Sequence, residues 1–347
     1  MGRRARLVLV FTLAAGIVRP TLDSAAARAA PPPVADAWAE PELLLPPSMQ
    51  LLRAAADATG VYATRYDADR GARVLLRRAP DGAVQLLAES PRVAELALDD
   101  GHVYWIGEDG VQAVPKTGGA VHTLAARDWT LVAEAPDQPR WGLALDGDDV
   151  YFSLDDGVGR VSKQGGESQA LASGRGARVV GVDAVEVFWL EQGDGEGGPS
   201  TTSVLATLKR GGPSRRVLAH LPGVLAVAVA DDGLYWLAET ERRGVGAIHR
   251  ASKSGDGATT LVGDVPTYYA QVLAVAAENL YWLDYPRGLH GPMRVRTVPT
   301  KGGDPTTLAE PFPVANKLLL DPRRVCWAQD GVRCVPRGPW DTAHLPL

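Results

Sequence analysis

The sequence predicts an all-β chain folded as a seven-bladed β-propeller with four antiparallel strands per blade. Three observations carry this expectation. First, one pattern recurs seven times: an apolar run, an Asp-rich turn, an aromatic position, a β-branched run, a Gly-containing turn and an apolar end. Second, the residue before the aromatic position falls at Val61, Val103, Val150, Val187, Leu234, Leu280 and Val325, with spacings of 42, 47, 37, 47, 46 and 45 residues, the period of a four-stranded blade. Third, each unit supplies four short apolar or β-branched runs punctuated by Gly, Asp and Pro, and no segment sustains a 3.6-residue period.

Ahead of the repeats, "MGRRARLVLVFTLAAGIV" places three arginines before a short apolar run, with small residues following in "DSAAARAA". This is the layout of an export signal, expected over residues 1–26; the apolar run is too short to span a bilayer comfortably. Residues 27–48 contain six prolines and are expected to form a linker. The propeller is assigned to residues 49–347. Removing residues 1–26 takes away four arginines and one aspartate, leaving 32 basic and 40 acidic side chains and a formal charge of -8. Such an acidic domain has no reason to seek nucleic acid or anionic lipid. No transmembrane segment is expected once the signal is gone, and the exported chain, periplasmic or extracellular, is expected to be a monomer.

The plainest unit is "LALDDGHVYWIGEDGVQAVPKTGGAVHTLAA", residues 96–126, and residues 143–173 repeat it nearly word for word. In "VYW" three successive residues are apolar although neighbours on a strand face opposite sides. A blade sandwiched between two others buries both faces, so Trp105, Trp189, Trp236, Trp282 and Trp327, with Phe152, read as packing between blades. Asp57, Asp99, Asp146, Asp183 and Asp321 stand four residues before the anchor and read as turn caps; Ala230 and Ala276 replace them in two units, which argues against a ring of metal ligands. The "KTGG", "KQGG", "KRGG" and "KGG" turns read as glycine-dependent hairpin turns carrying a solvated lysine.

Through "VYW", "LYW" and the turn after strand three, residues 50–347 resemble YWTD-type repeats, the class B repeats of low-density lipoprotein receptors, and the related NHL-type repeats. The aspartate three residues after the tyrosine survives only as Asp284, with Glu191 a weak substitute, so receptor-like ligand binding is not inherited. The resemblance implies architecture: strand one innermost, then the aromatic strand, then two outer strands. Strand one then lines the axis, and "LALD", "LAVAVAD", "LAVAA" and "LLLD" give it a small, apolar character. Ring closure is left open between two candidates for the last outer strand, the terminal "TAHLPL" and "ELLL" at residues 42–45.

Cys326 and Cys334, the two cysteines of the chain, flank "WAQDGVR". A three-residue hairpin loop over 329–331 sets them directly opposite, and an exported chain can oxidise them to a disulfide. A two-residue turn would offset them.

Chain direction puts the Asp turns and Gly turns on one rim, and the two-to-three loops with the blade connections on the other. The longest two-to-three segments belong to units four, five and six, so they form one sector. On that rim Trp129, Tyr268, Tyr269, Tyr285, Arg287 and His290 are the candidate binding residues, aromatics beside Arg and His being suited to a protein or sugar ligand. No reaction is legible: there is no G-x-S-x-G or H-E-x-x-H motif, and the six histidines share no repeat position. Asp194 and Glu196 lack the spacing of a known calcium loop. No catalytic residue, metal or cofactor is assigned. The expected function is non-catalytic binding of a protein, peptide or glycan through the long-loop rim of blades four to six. The alternative is a propeller enzyme of lyase, lactonase or quinoprotein-dehydrogenase kind acting at the mouth of the central channel, which charged side chains converging there would favour.

Overall fold

A computed structural model describes residues 8–9, 42–45, 51–89, 93–107, 109–126, 141–193, 201–267, 272–284, 293–312, 315, 317–328 and 331–337. These residues form seven antiparallel sheets arranged as the blades of a propeller, four strands to a blade, as the repeat predicts. The inner strands are Leu51–Asp57, Val93–Leu98, Leu143–Asp146, Arg178–Val182, Val224–Ala230, Leu273–Ala276 and Lys317–Leu320. Each pairs with the aromatic strand that follows it. Val8–Leu9 pair antiparallel with Val182 and Gly181, on the axial edge of the inner strand of blade four.

The aromatic residues behave as inter-blade packing. Trp105, Trp189, Trp282 and Phe152 are at most 1% exposed, and Val103 and Tyr104 beside Trp105 are buried as well. Both faces of each aromatic strand are therefore covered, which accounts for three apolar residues in succession. Two buried indole nitrogens find partners on the neighbouring strand, Trp105 Nε1 donating to Gln112 Oε1 at 3.0 Å and Trp189 Nε1 to Thr207 Oγ1 at 2.9 Å, whereas Trp282 Nε1 is buried with no hydrogen-bond partner among the described residues. Blade three carries the smaller Phe152, opposite Gly159. A Cβ on Gly159 would stand 2.7 Å from the Phe152 ring.

The turn rim is more than a set of capped hairpins. Oδ1 of Asp99 accepts from the N–H groups of Gly101 and His102, and Asp183 and Asp321 hold their turns in the same way. In Asp99 and Asp183 the other oxygen serves the next blade, whereas Oδ2 of Asp321 accepts from Arg324 Nε in its own blade. Lys163 Nζ reaches Asp99 Oδ2 at 2.9 Å and Lys253 Nζ reaches Asp183 Oδ2 at 3.2 Å, while Lys116 pairs with Asp57 and Lys209 with Asp146. Lys116, Lys163 and Lys209 are thus corrected from solvated to inter-blade ties, and Lys253 extends the series to four consecutive seams. Their reach follows from the turn: Gly165 (φ 78°) and Gly166 (φ 119°) take left-handed conformations, and Lys163 N–H binds the carbonyl of Asp148 in its own blade. The lysine stem is then free to cross the seam. Where Ala230 and Ala276 stand in place of the aspartate the tie is absent, and Lys301 pairs within its own blade with Glu278.

Closure of the ring uses the N-terminal candidate. Glu42–Leu45 add antiparallel to Val332–Pro336 as the outer strand of blade seven. Leu44 and Leu45 are buried against Ala54, Ala56, Val61 and Ala63 of blade one and the Cys326, Cys334 pair of blade seven. The "TAHLPL" segment lies outside the described residues. Cys326 and Cys334 are bonded and directly opposite, because the pair Ala328 and Val332 closes a three-residue loop.

Candidate functional site at the channel mouth

Each inner strand ends at its Asp turn, so its first residues lie at the other rim, where the blade connections enter. Four of those first residues carry charge: Arg53 in blade one, Glu95 in blade two, Arg178 in blade four and Lys317 in blade seven. Lys317 Nζ donates to Glu95 Oε1 at 2.7 Å. Blades seven and two are separated by blade one, so this contact closes only if both side chains reach in beside the axis. Between them, Arg53 Nε donates to the carbonyl of Ala94 at 2.5 Å. Arg178, from the far side of the ring, is close enough to feel Glu95, and Lys317 feels both arginines.

Backbone contacts fix these positions. Thr64 of the aromatic strand accepts from Arg53 N–H at 3.0 Å, anchoring the start of the inner strand in blade one. The equivalent residue of blade three, Ser153, accepts from Gly142 N–H and from Val179 N–H, binding blade three to the residue after Arg178. The fit is tight, since a Cβ on Gly142 would stand 1.9 Å from the Val179 carbonyl oxygen. In blade four the register shifts between Val179 and Gly181, which moves the charged position from four residues before the turn aspartate to five.

Burial sets the electrostatics. Lys317 and Glu95 side chains are only 9% and 3% exposed. Desolvation pushes the Lys317 ammonium below its ordinary pKa, against the pull of Glu95, and the neighbouring arginines act in the same direction as burial. Desolvation likewise lowers Arg178, with Glu95 opposing. The expectation that strand one offers only small apolar residues therefore holds for its deeper part, Ala54 to Ala56 and Leu96 to Leu98, and is corrected at its mouth end. Three cationic groups and one carboxylate in a desolvated opening can neutralise and orient an anionic group.

The six residues expected on the rim, Trp129, Tyr268, Tyr269, Tyr285, Arg287 and His290, lie outside the described residues, as do Asp194 and Glu196. Among the described histidines, His249 stacks on Trp236 at 5.2 Å and burial lowers its pKa, a packing role. No group of three or more His, Cys, Asp or Glu side chains among the described residues is placed to hold a metal ion. A cavity of about 760 Å³ opens between blades three and four, lined by Asp155, Asp156, Ala172 and Pro213, but it gathers no charged groups from other blades. Sequence reasoning missed the quartet, although Arg53, Glu95 and Lys317 occupy one repeat position, four residues before Asp57, Asp99 and Asp321.

No family model matches the chain, and no curated protein matches it. Solved structures do. An oligogalacturonate lyase from Vibrio parahaemolyticus superposes with a TM-score of 0.62 at 10% identity, over 86% of this chain and 94% of that one. An oligogalacturonate lyase in complex with manganese gives 0.59 at 12%, over 86% and 93%. The extracellular domain of a putative one-component system from B. thetaiotaomicron gives 0.54 at 9%, over 86% of this chain and 40% of that one. At these identities the likeness speaks to fold, and the fold it shows is the seven-bladed propeller.

Proposed function

We propose that the protein is an exported, monomeric propeller that binds a protein, peptide or glycan on its loop rim, over the mouth of the axial channel. The convergence of charged side chains at the mouth, Lys317 on Glu95 with Arg53 beside them, supports a ligand there, and it is also the observation expected above to favour the enzyme alternative. Desolvating charge is costly, and at four consecutive seams the turn rim already supplies inter-blade ties. The Lys317–Glu95 pair also spans the closing seam between blades seven and one, where Asp321 pairs within its own blade, so its charge serves closure as well as being offered to a ligand. Trp129, Tyr268, Tyr269, Tyr285, Arg287 and His290 are the proposed contacts around it, centred on blades four to six. The disulfide supports export, since such bonds persist in oxidising compartments. We read the repeats as YWTD-like or NHL-like in class.

A second reading, an enzyme acting at the channel mouth, is favoured by that convergence of charged side chains and by one further feature. Burial pushes the Lys317 pKa down, against the pull of Glu95, and a lowered lysine is the kind that can serve as a base. The lyases of similar fold offer analogy at the level of the scaffold.

The test is capture from the cell envelope by the purified exported domain, compared with two variants. One carries Tyr285→Ala, Arg287→Ala and His290→Ala on the loop rim, and the other carries Lys163→Ala on the turn rim. Capture lost in the first and kept in the second supports the reading; equal capture by wild type and the loop-rim variant refutes it.

A further inference from the structure

We propose that the axial edge of blade four is a docking site for an extended apolar peptide, which enters the channel from the loop rim and adds to Arg178–Val182 as a fifth strand. This deepens the reading of the loop rim as the binding face and rests on it, with a peptide segment as the ligand.

The full chain already occupies this edge. Val8 pairs with Val182 and Leu9 with Gly181, so blade four has five strands where each other blade has four. The added strand also lies alongside the inner strands of blades three and five, Leu143–Asp146 and Val224–Ala230, so one extended chain meets three blades at once. The attraction is main-chain. Successive residues of a strand turn their N–H and C=O groups to opposite edges, so one of Gly181 and Val182 bonds within the blade and the other presents both groups to the axis. An edge of that kind takes up an extended segment. Blade four also differs from the others at this point. In blades one, two and five the register with the aromatic strand shifts at Arg53, Glu95 and Ala226, four residues before the turn position, whereas in blade four it shifts at Gly181, two residues before Asp183. A bulge bends its strand and raises the local twist, and here it re-aims the residues that carry the added strand. The ligand's character follows from the seated run, RLVLVF, and from the apolar strands flanking it, with Leu143 to Leu145 on one side and Ala226 to Ala230 on the other. Its direction follows from the pairing. Inner strands run from the loop rim to the Asp turn, so an antiparallel segment runs back towards the loop rim, and a partner inserts with its N-terminal end leading. With residues 1–26 expected to be removed on export, the edge is open to a partner.

The probe is a peptide of residues 4–13, RARLVLVFTL, with a fluorophore at its C-terminal end. The full chain, given a protease site after residue 26, is folded and then cut, and the released segment is dialysed away. Fluorescence anisotropy should show saturable binding to the cut chain and binding about tenfold weaker or more to the uncut chain, whose own Val8–Leu9 hold the edge in cis. Methylating the peptide nitrogen of Val8 or of Leu9, one at a time, should weaken binding about tenfold at one position and far less at the other, because alternate N–H groups face the ladder. A globular tag on the peptide's N-terminal end should block binding, and the same tag on its C-terminal end should not. Absence of saturable binding to the cut chain, equal binding to the uncut chain, or indifference to both methyl groups overturns the site. Should the cut chain unfold, hydrogen exchange in the full chain decides. One amide of Gly181 and Val182 should exchange about tenfold faster or more in Val8→Pro/Leu9→Pro than in wild type, and unchanged exchange overturns the proposal. The loop-rim alanine variant separates the two ideas, because loss of envelope capture in that variant with no peptide binding to the cut chain leaves the rim reading standing and removes only the axial site.

Discussion

The ammonium of Lys163 lies 2.9 Å from Oδ2 of Asp99 and ties blade three to blade two. The two side chains are 12% and 19% exposed, so the pair is poorly screened. Burial works against the Asp99 carboxylate, but Lys163 and the N–H groups of Gly101 and His102 outweigh it and bring its pKa down to about 2. A carboxyl with a depressed folded pKa contributes stability above its unfolded pKa and loses it as pH falls through the folded one. Asp99→Asn should therefore cost about 2 kcal/mol at neutral pH, and the difference from wild type should shrink from about pH 4 to about pH 2. Urea denaturation across that range measures it; a gap independent of pH would refute the assignment.

The ring is closed by a strand that the chain supplies before its first blade. Deleting residues 1–48 removes Glu42–Leu45 and uncovers Val332–Pro336. Leu44→Ala should cost about 2 to 5 kcal/mol, because its side chain is 4% exposed in the seam between blades seven and one. Truncation should lower stability further and leave a sticky sheet edge, seen as concentration-dependent association in sedimentation. Unchanged stability on truncation would show that blade seven does not depend on this strand.

Cys326 and Cys334 cross-link a cross-strand pair eight residues apart. Chain entropy for a loop this short gives about 2.5 kcal/mol of stabilisation. Reduction should be slow in the native state, because both residues are buried, and should lower the denaturation midpoint by a corresponding amount. Rapid native-state reduction with no change in midpoint would contradict the described packing.

Removing one partner of a buried pair strands the other. Glu95→Gln should destabilise by about 3 kcal/mol, since Lys317 would be left in a desolvated place without its carboxylate. The double variant Glu95→Gln/Lys317→Met should cost less than the sum of the two single changes. Strict additivity in a double-mutant cycle would mean that the two groups do not interact.

The blade architecture was legible in the sequence because every unit repeats the same burial problem. Val103, Tyr104 and Trp105 are apolar in succession for a reason that six other units share, and a recurrence of that kind is readable without coordinates. The Cys326–Cys334 bond was legible too, as local register needs only a loop of three residues. The Lys163 to Asp99 tie was half visible: each residue recurs, but the pairing crosses a seam and depends on how far one blade rotates against the next. The charged mouth was least legible. Arg53, Glu95 and Lys317 share a repeat position, yet Lys317 of blade seven meets Glu95 of blade two only by reaching past blade one, a side-chain path that a repeat pattern does not reveal. Arg178 was hidden further by the register shift between Val179 and Gly181. The rim aromatics and His290 remain a proposal resting on loop length and residue type.

Site-specific photo-crosslinking in the native envelope tests the central claim most directly. A photoreactive residue placed at Tyr285, on the loop rim, should yield discrete adducts, and one placed at Gln164, in the Gly turn of blade three, should yield none. Adducts from Gln164 with none from Tyr285 would put the binding face on the turn rim and contradict the account.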